Sequence, residues 1–143
     1  PLNNPPVAFT GAPVFVGPCG GFTFGPTIIF LTAVIAKPKV KGKRNKPLIY
    51  MEDVGRHNAI DKIAGYMMSK KISSFDKIFY TTGRLTSEMV IKSVNMKIPV
   101  VISRSGFTAW GIELARQANL TLIGRAKGKK FVILSGEERV ERS

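Results

Sequence analysis

The chain is poor in the residues on which disulfide, metal and most nucleophilic chemistry depend. Among 143 residues it has one cysteine, one histidine and one tryptophan, and its 9 acids face 22 lysines and arginines. A lone cysteine, Cys19, cannot close an internal disulfide, which fits a reducing cytoplasm. One cysteine and one histidine are too few for the usual zinc centres, so no metal site is expected. There is no G-x-x-x-x-G-K-[ST], and no G-x-G-x-x-G follows a strand, which excludes a Walker-type phosphate loop and a dinucleotide fingerprint. The longest apolar run, 28–36, contains one threonine and is too short to cross a bilayer. The start, PLNNPP, lacks the basic-then-apolar plan of a secretory leader. It opens on Pro1 rather than methionine, which fits a fragment or a processed chain.

What is abundant is positive charge, a net +13. Such an excess favours anionic partners: nucleotide, nucleic acid, an anionic membrane or an acidic protein. Six of the 22 basic residues fall in KPKVKGKRNK (37–46), where no aromatic stands between them to stack a base. That stretch reads as a solvated loop or a local electrostatic lure. The apolar fraction of 44% and nine phenylalanines suit one globular domain.

The chain changes character near residue 47, dividing into a Gly/Pro-rich segment, 1–47, and an α/β domain, 48–143. The first holds the cysteine loop VGPCGGF and the basic loop. In the second, strand-like and helix-like stretches alternate. LIYM (48–51) reads as a strand; Ile60, Ile63, Ala64, Met67 and Met68 then mark one stripe of a helix. DKIFYTT (76–82), IPVVIS (98–103), TLIG (121–124) and KFVILS (130–135) read as strands. Thr86–Asn95 and Thr108–Ala118 read as helices, with Asn119 a left-handed stop. The pattern predicts an α/β fold of three layers, a largely parallel mixed sheet with helices on both faces, whose last strand pair could be antiparallel.

Three times a predicted strand passes to a helix through a loop carrying an arginine: DVGRHN (53–58), TTGRLTSE (81–88) and SRSGFT (103–108). Such loops share the carboxyl edge of a parallel sheet, where ligands bind. Helix N-termini, the forked donors of Arg56, Arg84 and Arg104, and the hydroxyls of Ser87, Ser103, Ser105 and Thr108 all suit phosphate oxygens. Gly55, Gly83 and Gly106 allow close backbone approach or positive φ. His57 either packs in its helix's first turn, or donates to phosphate or moves a proton. Cys19, between a proline and two glycines, is an uncovered thiol suited to carrying a group.

EDVGRHNAIDKIAGY, TTGRLTSEMVIKSV, IPVVISRSGFTAWGIELA and LTLIGRAKGKKFVILSGEERV resemble, in order and spacing, the formate dehydrogenase accessory sulfurtransferase family, over about two thirds of the chain, Leu48 to Val140. The resemblance implies a cytidine-deaminase-like fold and a cytoplasmic sulfur carrier, with Cys19 as the catalytic thiol. The carrier would take persulfide sulfur from a cysteine desulfurase and pass it to the molybdenum bis(molybdopterin guanine dinucleotide) of formate dehydrogenase. It places cofactor contacts at Arg56, His57, Asn58, Gly83, Arg84, Ser103 and Ser105, and at the loop Arg125, Ala126, Lys127, Gly128, Lys129 and Lys130. A substrate with two nucleotide arms makes a homodimer attractive. The chain departs from the family pattern at Phe22, where a second cysteine is usual, and at Gly106, Phe107, Arg125 and Lys127. The runner-up is a non-catalytic RNA- or nucleotide-binding module on the same basic edge, with nucleic acid disfavoured by the missing aromatics. A zinc nucleoside deaminase would need an H-x-E or C-x-E arm and P-C-x-x-C, neither of which is present.

Overall fold

The computed structural model describes residues 31–36, 47–127 and 130–140. The cysteine loop, the basic loop 37–46, Gly128 and Lys129 lie outside the described residues. The elements are β1 (Leu31–Ala36), β2 (Pro47–Asp53), α1 (Arg56–Ser69), β3 (Ile78–Thr81), α2 (Ser87–Asn95), β4 (Val100–Ser103), α3 (Ala109–Gln117), β5 (Thr121–Lys127), β6 (Lys130–Ser135) and a 3-10 turn, Glu137–Arg139.

The six strands form one mixed sheet in the order β2-β1-β3-β4-β5-β6. β3 pairs in parallel with β4, and β4 with β5. β1 is antiparallel to both its neighbours, β2 and β3, so β2 runs the same way as β3. Four of the six strands therefore point in one direction, opposed by β1 and β6. The sheet crosses the composition change at residue 47, because β1 sits inside it.

The interior strands β3 and β4 are buried along their whole length, as strands covered on both faces must be. Their side chains alternate between two clusters. Phe79, Val101 and Leu122 meet Ala59, Ile60, Ile63 and Met67 of α1, Met89 and Val90 of α2, and Ala115 of α3. Ile78, Tyr80, Val100, Ile102 and Ile123 fill the opposite face with Val140. Three crossovers, β2 to β3, β3 to β4 and β4 to β5, all step the same way along the sheet. Right-handed connection then puts every crossover helix on one face. The second helical layer expected from the sequence is not among the described residues.

All three helices stop in the same way. After one capping residue each, α1, α2 and α3 pass into Lys71, Lys97 and Asn119, all at positive φ. In each case the next residue, Ile72, Ile98 or Leu120, returns its N–H to the carbonyl of Met67, Ser93 or Ala115. This is the left-handed helix stop anticipated at Asn119, repeated with lysine twice. Lys71→Gly, which relieves the left-handed cost on an exposed side chain, is expected to stabilise the fold by about 1 kcal/mol. Chemical denaturation checks it, and a lowered midpoint would count against that conformation. One expectation is corrected in α1: Met67 is buried but Met68 is 80% exposed, and Ala59 completes the stripe instead. A helix resting on a flat sheet covers a narrower arc than one surrounded by neighbours.

Candidate functional site

Because β2, β3, β4 and β5 run the same way, their carboxyl ends share one edge, and there the three arginine loops meet. Each begins with the same small device. The last residue of the strand turns its side-chain oxygen back to accept the N–H two residues on: Asp53 Oδ1 from Gly55 at 2.9 Å, Thr81 Oγ1 from Gly83 at 3.0 Å, Ser103 Oγ from Ser105 at 2.9 Å. These turns reverse the backbone just outside the sheet and lead into the next helix.

The loops are knitted together side by side. Gly83 lies against Arg56, where an added Cβ would come within 3.0 Å of the arginine Cβ. The Ser103 hydroxyl donates to the Gly83 carbonyl at 2.7 Å, and Arg104 N–H to the Thr81 carbonyl at 3.0 Å. Leu85 and Phe107 form a parallel bridge, and Arg125 N–H donates to the Ser105 carbonyl at 3.1 Å. Four loops from Arg56 to Arg125 thus form one continuous rim. None of Gly55, Gly83 or Gly106 has positive φ; among the described glycines only Gly136 does. Close packing, at Gly83, is what the edge draws from glycine.

The candidate residues divide into those spent inside the protein and those open. Ser103 is fully buried, with its hydroxyl donating on one side and accepting on the other, so it couples two loops. His57 Nε2 lies 3.0 Å from Glu88 Oε2, tying the first turn of α1 to that of α2. Asn58 donates to Asp53 at 3.2 Å. Arg84 and Arg125 are exposed on the rim, as are Lys127 and Lys130; Ser105 and Ala126 are half-buried, and Ala126 packs beside the second cluster. Arg56 is half-buried, and its Nε is a fully buried donor with no acceptor among the described residues. The first turn of α1 holds no acidic residue and receives no side-chain cap. A buried guanidinium donor beside an uncapped helix start is an arrangement that an anion would complete.

Asp53 is the hub of the first loop, accepting from Gly55 and Asn58 and pairing with Lys62 at 2.7 Å. The Lys62 hydrogen bond, then that from Gly55, lowers its pKa from 3.8 to about 2. The unfolded chain therefore takes up this proton first as pH falls. The stabilisation is full above the unfolded value and is lost as the pH drops from 3.8 toward about 2. Asp53→Asn is expected to flatten that part of the acid limb, read as denaturation midpoints at pH values above and between these two. An unchanged limb would contradict the assignment.

Sequence reasoning gave no role at this edge to Thr81, Glu88, Phe107 or Gly124, although the first three lie within the loops it placed there. The turn residues had a local signal, an Asp, Thr or Ser two positions before the loop's N–H donor. Glu88 had none, since its partner His57 lies on another helix. No three of histidine, cysteine, aspartate and glutamate cluster as metal ligands among the described residues. No helix among them is long and apolar enough to cross a membrane.

This edge can be set beside known proteins. Residues 37–141 match the model of the FdhD/NarQ family. The chain belongs to that family. It is 41% identical over 93 residues to the sulfur carrier protein FdhD of Wolinella succinogenes, covering 65% of this chain and 32% of that one. The FdhD of Bacillus pumilus is 37% identical over 95 residues, 66% of this chain and 36% of its own. The crystal structure of a protein described as a formate dehydrogenase accessory protein from Desulfotalea psychrophila superposes with a TM-score of 0.68 at 32% identity. The match covers 78% of this chain and 48% of that one. The FdhD/NarQ chain thus spans about a third of the length of these two curated relatives.

Proposed function

We propose that this chain is the nucleotide-binding part of a sulfur carrier that serves formate dehydrogenase. In this reading Cys19 accepts persulfide sulfur from a cysteine desulfurase, and the carrier passes it to molybdenum bis(molybdopterin guanine dinucleotide), held as substrate by its nucleotide ends. The observation that carries the binding half is Arg56, whose buried Nε lacks an acceptor while its stem is wedged against Gly83. A phosphate oxygen supplies that acceptor, and a charge-assisted bond in a partly buried site is strong. Arg84 and Arg125, exposed on the same rim, add forked donors for further phosphate oxygens. Ser105 offers a half-buried hydroxyl beside them. Ser103, His57 and Asn58 hold these groups in place through Gly83, Glu88 and Asp53. The likeness to FdhD sulfur carrier proteins and to a formate dehydrogenase accessory protein supports the sulfur-carrying half.

The first test is calorimetric titration with GDP and with ADP at two salt concentrations. Guanine-selective binding that survives the higher salt supports a discrete pocket. Binding indifferent to the base and abolished by salt favours instead a generic polyanion surface, the RNA-binding alternative suggested by the exposed Arg84, Arg104, Arg125 and Lys127. For the carrier half, incubation with a cysteine desulfurase and cysteine should add one sulfur atom to Cys19 by intact mass, and no added sulfur would reject it. The two nucleotide arms of the substrate also favour one arm per subunit of a two-fold dimer. Light scattering with and without GDP decides that point, and a monomer in both states rejects it.

A further inference from the structure

Arg125 stands in the left-handed region, at φ 53, a conformation that a residue with a Cβ adopts only at a cost. It lies in an irregularity of the β5–β6 ladder, where the register jumps between Gly124 and Lys127. The bulge takes Arg125 out of the pairing, and its N–H goes instead to the Ser105 carbonyl of the neighbouring loop at 3.1 Å. Its guanidinium carbon then lies 5.5 Å from the centroid of the Phe107 ring. The ring is itself seated on Gly124, closely enough that a Cβ there would come within 2.7 Å of ring Cδ1 and 3.0 Å of Cε1. The backbone at Phe107 is held by the parallel bridge to Leu85. The ring thus sits between Gly124, which its Cδ1–Cε1 edge approaches, and the Arg125 guanidinium near its face.

We propose that Phe107 is a positioning residue for the nucleotide site, acting through Arg125. This rests on the reading of the rim as the place where the substrate's nucleotide ends bind. The flat guanidinium gives one face to the ring and keeps its N–H edges free for phosphate oxygens. Laid on Phe107, it loses little further freedom on binding, so the ring raises affinity by preorganisation rather than by touching the ligand. The left-handed backbone at Arg125 aims the side chain back over the β4–α3 loop instead of along the sheet. Gly124 is required because a side chain at that position would evict the ring.

The test compares GDP affinity by calorimetry for the wild-type chain, Phe107→Leu, Phe107→Tyr, Arg125→Gln and the double variant Phe107→Leu/Arg125→Gln, with thermal midpoints recorded alongside. Phe107→Leu should weaken binding by about fivefold, in line with an exposed cation–π contact and some lost preorganisation. Phe107→Tyr, which keeps the ring, should restore wild-type affinity. Phe107→Leu should cost nothing further once Arg125 is glutamine. Equal losses for leucine and tyrosine, or additive losses in the double variant, overturn the proposal. A second measurement needs no nucleotide: the Arg125 Nε–H proton should be shifted upfield by the ring current and should lose that shift in Phe107→Leu. An unshifted proton in the wild-type chain overturns the stack. If the wild-type chain binds no GDP, the proposed function fails, while the proton shift still decides whether Phe107 holds Arg125.

Discussion

Arg56→Met is expected to weaken guanine-nucleotide binding by about 10- to 100-fold while leaving the denaturation midpoint unchanged or slightly raised. The two effects come from the same atom. Nε is buried without an acceptor among the described residues, so the free protein carries a desolvated donor. Such a donor costs about 1–3 kcal/mol when unpaired, and a hydrogen bond to a charged group returns about 1.5–3 kcal/mol. Methionine keeps an unbranched stem against Gly83 and removes the donor, so the fold loses a liability while the ligand loses its partner. A factor of ten in affinity corresponds to about 1.4 kcal/mol, which sets the expected range. Calorimetry and urea denaturation on the same preparation decide the matter. If stability falls as far as affinity does, Arg56 is part of the scaffold and the binding argument loses its support.

Gly136→Ala is expected to destabilise the fold by about 3 kcal/mol, and Gly65→Ala to stabilise it by about 1 kcal/mol, although both add one methyl group. Gly136 has φ 71, and a Cβ there would fall 2.4 Å from Thr121 Oγ1 and 2.9 Å from Thr121 Cα, the latter backbone and unable to move aside. The left-handed conformation costs about 1–2 kcal/mol for alanine, and forced overpacking about 1–3 kcal/mol. The clash also threatens Arg139, whose buried guanidinium donates to the Asn119 carbonyl at 2.6 Å and to Thr121 Oγ1 at 3.3 Å. Gly65 lies inside α1 with nothing within 4 Å of an added Cβ, so alanine there gains only helix propensity. Against a total stability of about 5–15 kcal/mol, the first change is severe and the second modest. Urea midpoints of opposite sign are the expected result; two shifts of the same sign would refute the steric account.

Much of this architecture could be read in the residues, for a physical reason. β3 and β4 are short apolar runs because they are buried on both faces, and the helices between them carry stripes and caps. Such signals are local in the chain. What escaped notice depends on pairing at a distance. β1 was visible only as an apolar run; nothing local says that it inserts between β2 and β3 and opposes both. That α1, α2 and α3 all lie on one face follows from the order of strands, which no window of sequence contains. At the edge, Arg56, Arg84 and Ser105 were visible as phosphate-type donors. The occupation of Ser103 by Gly83 and of His57 by Glu88 was not, because both partners come from other loops. Met68 failed as a core residue because periodicity gives the direction of a stripe and not its width.

The position of β1 also sets the order in which the sheet is built during synthesis. β1 and β2 emerge before the other described strands and can pair with each other at once, but a two-stranded ribbon is marginal alone. β3 must appear after the whole of α1 before β1 acquires its second neighbour, Ala33 against Thr81 and Ala36 against Ile78. From there, growth is sequential, each helix delivering its strand beside the previous one. Among the described strands, the β1 edge that will receive β3 has no partner until α1 has been made, and that interval is when the nascent chain is open to pairing with a neighbouring copy.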